Sequence, residues 1–334
     1  MTDLFDLEEA KLIKEIKKRK AEKVLIQLPE GLKPQAQRLA EAAEEAGAQA
    51  VVSGDPCYGA CDVPLCDAET LGVDLIVHYG HSEMAKPKSF SAPIIYFEAK
   101  ANLDVKPAVE KAVPLLRRWT KIGLATTIQH ADRLGDVKET LEKAKKTVLV
   151  GNVGQGKLLG QILGCDYANA KAVKDAAEAF LYVGGGRFHP LGLCLATAKP
   201  TVVADPYENR AYDIGEDAQK TVKRRWASVT EAQKARSFGV IVGLKPGQNR
   251  MEAAENIKDE LERNGKKAVL ISMREVTAAS LMQFPAFDAF VDTACPRIAL
   301  DESSDFKKPI LTVAEAYVAL EKTRWEDLLK KGLL

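Results

Sequence analysis

Three times along the chain, a short apolar run leads through a polar loop into a stretch whose apolar positions recur at helical spacing. A second apolar run then follows. In the first copy the runs are residues 24–28 and 49–52. Between them lie the loop Pro-Glu-Gly-Leu-Lys and a helix starting at Pro34, with Leu39, Ala43 and Ala46 on one side and Gly47 at its end. In the second copy, residues 122–126 lead through Gln129 and His130 into a helix carrying Leu134, Val137, Leu141 and Ala144, then into residues 147–150. In the third, residues 240–244 lead through Lys-Pro-Gly-Gln into a helix carrying Met251, Ala254, Ile257 and Leu261, then past Gly265 into residues 268–271. Strand, helix and strand at this spacing predict a parallel βαβ unit.

Each copy later adds another apolar run ending in a polar or glycine-rich loop: residues 75–79, 180–183 and 289–292. Runs 94–97 and 201–204 read as connections leaving a domain. An amphipathic helix opens the chain, with Asp6 as its cap, Glu9 at the capping-box position and Leu12, Ile13 and Ile16 on its apolar face. Residues 216–237 read as a long helix entering the third copy, and the tail after Pro309 as a closing helix. The expected fold is α/β, with three similar domains, each a small parallel sheet with flanking helices, at 1–100, 101–212 and 213–334. One large doubly wound sheet uses the same unit and competes with this arrangement. In either case ligands belong beyond the C-terminal strand ends.

Composition adds exclusions. The chain has 334 residues, 46% hydrophobic and 28% charged, with a formal net charge of +1. That balance gives no electrostatic pull toward nucleic acid or an anionic membrane. The first twenty residues lack the apolar core of a secretory leader, and no apolar run reaches membrane-spanning length, so a cytoplasmic protein is expected. In a reducing compartment the six cysteines, Cys57, Cys61, Cys66, Cys165, Cys194 and Cys295, are buried thiols, metal ligands or nucleophiles rather than disulfides.

The cluster Cys57-x3-Cys61-x4-Cys66 matches neither the CxxxCxxC of most radical enzymes that use S-adenosylmethionine nor the paired CxxC knuckles of structural zinc. His78 or His81 could complete a local zinc site with it. Gly151-Asn-Val-Gly-Gln-Gly-Lys157-Leu158 nearly forms a phosphate loop, but Leu158 stands where a magnesium-binding hydroxyl is needed. Gly184, Gly185 and Gly186 follow a strand and expose amides suited to a carboxylate or phosphate, or else make a tight connection. Pro29-Glu30-Gly31, Tyr79-Gly80-His81-Ser82 and Lys245-Pro246-Gly247-Gln248 are polar loops after strands. Cys165 lies in a close turn and Cys295 just past a strand end, before a proline. Neither is a motif by itself.

Together these pieces resemble a known family. Tyr58-Gly-Ala-Cys61-Asp62, Leu163-Gly-Cys165-Asp-Tyr167 and Ala294-Cys295-Pro296-Arg297 look like three cluster-cysteine motifs. Pro29-Glu30-Gly31-Leu32, Gly80-His81-Ser82, Phe188-His189-Pro190-Leu191-Gly192 and Asp205-Pro206-Tyr207 match further signatures. The chain resembles the archaeal diphthamide-synthesis enzymes, the 2-(3-amino-3-carboxypropyl)histidine synthases, across nearly its whole length. The joint match selects Cys61 over Cys57 and Cys66, which spacing does not.

The resemblance implies three α/β domains around a central [4Fe–4S] cluster held by Cys61, Cys165 and Cys295, with one iron open. It implies a homodimer that transfers the 3-amino-3-carboxypropyl group of S-adenosylmethionine to C2 of a histidine in translation elongation factor 2. The Cγ–S bond is cleaved reductively, in a radical route fed by an electron donor. Gly184, Gly185, Gly186, His189 and Gln248 are expected substrate contacts, with Arg187 as an alternative to His189. The runner-up enzyme is quinolinate synthase, similar in its three domains and three cluster cysteines. A zinc scaffold using Cys57, Cys61, Cys66 and a histidine is the reading from a different class.

Overall fold

The protein is described from a computed structural model, covering residues 4–84, 92–152, 154, 156, 158–301 and 306–334. The chain forms two compact units. The first comprises residues 1–104 with two short segments, 128–132 and 245–247; the second comprises the rest.

The first unit holds a four-stranded parallel sheet in the order Gln49–Val52, Lys23–Gln27, Leu75–Tyr79, Ile94–Phe97. The second unit holds two more sheets. One runs Thr147–Leu149, Lys121–Thr126, Ala179–Val183, Thr201–Asp205, with Arg210–Asp213 added antiparallel at the edge. The other runs Lys267–Met273, Ser237–Gly243, Ala289–Asp292, Ile310–Thr312, all parallel. In each sheet the strands of the repeat lie in the order second, first, third, fourth. The chain therefore reverses direction across the sheet between its first and third strands, where ligands of such sheets bind.

The central strands are buried along their length because helices cover both faces. In the first unit, Leu12, Ile16, Leu39 and Ala43 from the helices Glu9–Arg19 and Ala36–Glu45 close over Val24, Ile26, Leu75 and Val77. In the second unit, Val137 and Leu141 cover Ile122 and Leu181, and Ile257 and Leu261 cover Val240 and Val291.

The repeat extends to a detail that periodicity does not reveal. One residue before each third strand, an acidic side chain accepts the amides that open the first strand. Asp74 accepts from Glu22 and Lys23 at 2.9 and 3.4 Å. Glu178 accepts from Thr120 and Lys121 at 2.6 and 2.9 Å. Asp288 accepts from Arg236 and Ser237 at 2.9 and 3.0 Å. These amides lie at strand starts, outside the ladder, and the carboxylates satisfy them.

Several boundaries differ from expectation. Ile94–Phe97 and Thr201–Asp205 pair within their sheets as fourth strands rather than leading away. Their counterpart in the third sheet, Ile310–Thr312, is only three residues long, too short for alternation to register, and opens the tail expected to be helical. The long helix ends at Gln233, because Ser237 already begins a strand. Asp6 pairs with Lys100 in a short antiparallel ribbon and accepts from the Glu8 amide at 3.0 Å, so Glu8, not Asp6, sits at the helix start.

Candidate metal centre and substrate loops

In the first unit, Cys61 sits in the short 3-10 turn Ala60–Asp62 and is partly exposed. Its loop is held from two directions. The Gln27 side-chain amide donates to the carbonyl of Asp62 at 2.7 Å. On the other side the segment 245–247 closes against it: the Gly247 amide donates to the Cys61 carbonyl at 2.8 Å, and Lys245 pairs with Asp62 at 3.1 Å. The Lys245 ammonium also lies 3.9 Å from the centre of the Tyr58 ring. Lys245 is 3% exposed, so its charge is matched almost wholly by protein groups. A side chain at position 247 has no room, since a Cβ there would stand 2.5 Å from Cys61 Cα. Asp62 and Lys245 lie inside motifs without a role of their own at the level of sequence; a short acidic side chain after the cysteine and a lysine before Pro-Gly are the available signals.

The neighbouring thiols differ. Cys57 is buried, and that burial pushes its thiol up to about 12. Cys66 is exposed on the helix Leu65–Leu71. Cys194 lies within the helix Phe188–Thr197, and burial raises its thiol to about 11. With no cation in contact, both Cys57 and Cys194 are held as neutral thiols.

In the second unit, Cys165 and Cys295 are partly exposed and stand near one another's supports. Both thiols bear electrostatically on the buried hydroxyl of Tyr167. That hydroxyl donates to the Gly164 carbonyl at 3.2 Å, beside Cys165. Arg297, 4% exposed, links the two cysteine loops. Its guanidinium reaches Tyr167 Oη at 3.4 Å and the Phe188 carbonyl at 2.7 Å, while Asp301 grips it bidentately at 2.7 and 2.8 Å. It also stacks over the Phe188 ring at 3.9 Å, and that ring rests on Gly164. The Cys295 loop is braced from below by Asp292, whose Oδ1 accepts the Ala294 amide at 2.9 Å and which also accepts from the Cys295 amide. Burial holds the Asp292 carboxyl up at about 7.

The expected substrate residues of this unit lie on the loops after Ala179–Val183 and Ser237–Gly243 and, for His189, in the first turn of the helix Phe188–Thr197. Gly184 and Gly186 have φ of +148° and +72°, backbone that side chains rarely adopt. Gly185 packs against the Tyr207 ring, and the Tyr212 hydroxyl donates to the Gly186 carbonyl at 3.1 Å. His189 stacks on Tyr182 with ring centres 6.2 Å apart. Gln248 is buried, and a Cβ on Gly243 would meet both its carbonyl and Ala294, so it neighbours the Cys295 loop. Arg187 is engaged by Asp217 and Tyr212.

Of the near phosphate loop, Val153, Gln155 and Lys157 lie outside the described residues. Among the described residues, the next α-helix after it is Ala168–Lys171, so the long helix of a phosphate loop does not follow.

Cys61, Cys165 and Cys295 are partly exposed thiols outside the α-helices, a donor set with the chemistry for a cluster with three protein ligands; Cys194 is also partly exposed but lies within a helix, and Cys57 is buried.

Residues 28–329 match the model of the diphthamide synthesis protein family. The chain is 37% identical to the 2-(3-amino-3-carboxypropyl)histidine synthase of Pyrococcus horikoshii, over 98% of this chain and 94% of that protein. It is 32% identical to subunit 1 of the mouse synthase of that name, over 97% of this chain and 74% of the mouse protein. The fold matches the crystal structure of Dph2 from Pyrococcus horikoshii with a 4Fe-4S cluster, at a TM-score of 0.87, covering 96% of this chain and 92% of that one.

Proposed function

The chain belongs to the diphthamide synthesis protein family, and from that membership we propose that it is a 3-amino-3-carboxypropyl transferase. It moves that group from S-adenosylmethionine to C2 of a histidine in translation elongation factor 2, the first step of diphthamide synthesis. The observation that carries the reading is likeness, over nearly the full length of both chains, to a protein named as the synthase. The solved relative with a 4Fe-4S cluster and the partial exposure of Cys61, Cys165 and Cys295 support the cofactor.

In this reading Cys61, Cys165 and Cys295 hold a [4Fe–4S] cluster, one from each of three domains at 1–100, 101–212 and 213–334. The bound cluster supplies the single electron that breaks the sulfonium's Cγ–S bond, a radical route suited to imidazole C2, a poor nucleophile. The chain's own residues orient the substrate. The amides of Gly184, Gly185 and Gly186 suit its carboxylate, and Gln248 suits the amino-acid group beside the Cys295 loop. His189, its ring stacked on Tyr182, is a further candidate contact. Arg297 fixes the spacing of the two cysteine loops in its unit, and Lys245 with Gly247 fixes the Cys61 loop. The working form is a cytoplasmic homodimer fed by an external electron donor; no described helix is long and apolar enough to cross a membrane.

The test is anaerobic incubation of the reconstituted chain with dithionite, carboxyl-labelled S-adenosylmethionine and an archaeal elongation factor 2. Label on the elongation factor, with 5′-methylthioadenosine released, is the expected result. A fully loaded protein that transfers no label would exclude the activity.

A further inference from the structure

The proposed cluster ligands leave Cys57 unused, although it lies with two histidines in the only such donor group among the described residues. Cys57, His78 and His81 each bring one donor atom within 4.8 Å of the others. Spacing groups Cys57 with Cys61 and Cys66; the fold leaves Cys66 exposed and Cys61 outside this group.

We propose that Cys57, His78 and His81 form a second metal site, for a divalent zinc-like cation, independent of the cluster cysteines. The geometry meets the requirements one by one. His78 Nδ1 lies 2.7 Å from Gln27 Oε1. The Gln27 amide is oriented by donating its Nε2 protons to the Asp62 carbonyl, so Oε1 must accept, and His78 carries its single proton on Nδ1. Its Nε2 lone pair therefore points at His81 Nδ1, 3.0 Å away. A metal-binding histidine with its other nitrogen bonded to an amide or carbonyl oxygen is the usual supporting arrangement.

Tetrahedral zinc at its ordinary bond lengths separates such donors by roughly 3.3–3.7 Å, so the three need to move by about 1 Å or less. The Cys57 thiol gives its proton to solvent on binding. Burial alone makes that release costly, and a cation in contact reverses the balance. The Glu30 carboxylate accepts the Cys57 amide at 3.3 Å and bears electrostatically on Cys57 and His81. It also adds the negative charge that an entering cation needs.

The experiment uses the full chain with Cys61, Cys165 and Cys295 all replaced by alanine, which removes the proposed cluster. Cobalt(II) alone is titrated in under anaerobic conditions. The expected result is a tetrahedral visible spectrum with a thiolate charge-transfer band, saturating at one cobalt per chain and bleached by zinc. Cys57→Ser on this background should abolish the charge-transfer band, and Gln27→Ala should weaken binding by about tenfold. A background chain that binds no cobalt, or a band that survives Cys57→Ser, would overturn the site. Alkylation of Cys57, mapped by peptide, provides a readout without further substitution. Zinc should slow it at least about tenfold while leaving Cys66 unaffected, and an unchanged rate would equally overturn the site. None of these readouts involves S-adenosylmethionine or a cluster, so their failure leaves the transferase reading untouched, and the reverse also holds.

Discussion

The Gly247 amide donates its hydrogen bond to the carbonyl of Cys61 at 2.8 Å, and the two backbones are so close that a Cβ on Gly247 would stand 2.5 Å from Cys61 Cα. Such a contact has no flexible side chain to give way. Gly247→Ala therefore forces the 245–247 segment off the Cys61 loop and breaks the Lys245–Asp62 pair with it. Iron per chain after reconstitution should fall severalfold. Gly54→Ala, where nothing lies within 4 Å of the added Cβ, is the control and should load normally. Equal iron in both variants would remove Gly247 from the support of the site.

Arg297 holds the two other cysteine loops through a planar fork that lysine cannot reproduce. Arg297→Lys gives up the bidentate grip on Asp301 and the simultaneous reach to the Phe188 carbonyl and Tyr167. With Asp301 only partly exposed, the loss should be about 1–3 kcal/mol in urea unfolding of the cluster-free chain. The loaded protein should also bleach faster in air than wild type. A variant that matches wild type in both measurements would show that Arg297 is dispensable.

Much of this architecture is legible in the sequence because burial writes itself as periodicity. The runs 75–79 and 289–292 are strands at the expected residues, buried throughout because both faces of a covered parallel sheet must be apolar. What stays illegible is contact between distant segments. Asp74, Glu178 and Asp288 look like ordinary surface acids, and their shared role needs the sheet register to bring them to the strand starts. Lys245 reads as a turn residue until Asp62 and Tyr58 surround it. Ile310–Thr312 is missed because three residues carry too little pattern. The cysteines illustrate both limits: spacing treats Cys57, Cys61 and Cys66 alike, and only the fold shows one buried with two histidines, one in a braced turn and one on an exposed helix face.

The ion pair of Arg225 and Glu315 is 0% and 1% exposed, with Arg225 also donating to the carbonyls of Ala299 and Ile310 at 2.7 and 2.6 Å. Glu315 in turn accepts the Thr312 amide at 2.9 Å, closing the capping box of the helix Val313–Ala319. Arg225→Met strands a buried carboxylate and two carbonyls, and should cost about 3–5 kcal/mol in urea unfolding. Adding Glu315→Gln removes the stranded charge while keeping an acceptor for the Thr312 amide, and should restore part of the loss. A single variant that unfolds at the wild-type midpoint would show that the pair contributes no net stability.

The carboxylate clasps make stability depend on pH at the acid end. Backbone amides bonded to Glu178 and Asp288 hold both carboxyls below the ordinary carboxylate value of about 4. The unfolded chain, lacking those bonds, takes up its protons first as the pH falls. A depressed folded value thus gives stability that is complete above the ordinary value and is lost as the pH drops through and below it. Both side chains face solvent, so each effect is small and screened by salt. The expected outcome is a urea midpoint that declines between about pH 5 and pH 3 more steeply in wild type than in the double variant Glu178→Gln, Asp288→Asn. The amides keep an oxygen acceptor but neither titrate nor carry charge, so the variant should start slightly less stable and converge on wild type in acid. High salt should narrow the gap at neutral pH. Parallel curves for the two proteins across that window would mean that the clasps bind their amides equally well in the protonated form, and the acid sensitivity of the fold would have to come from other groups.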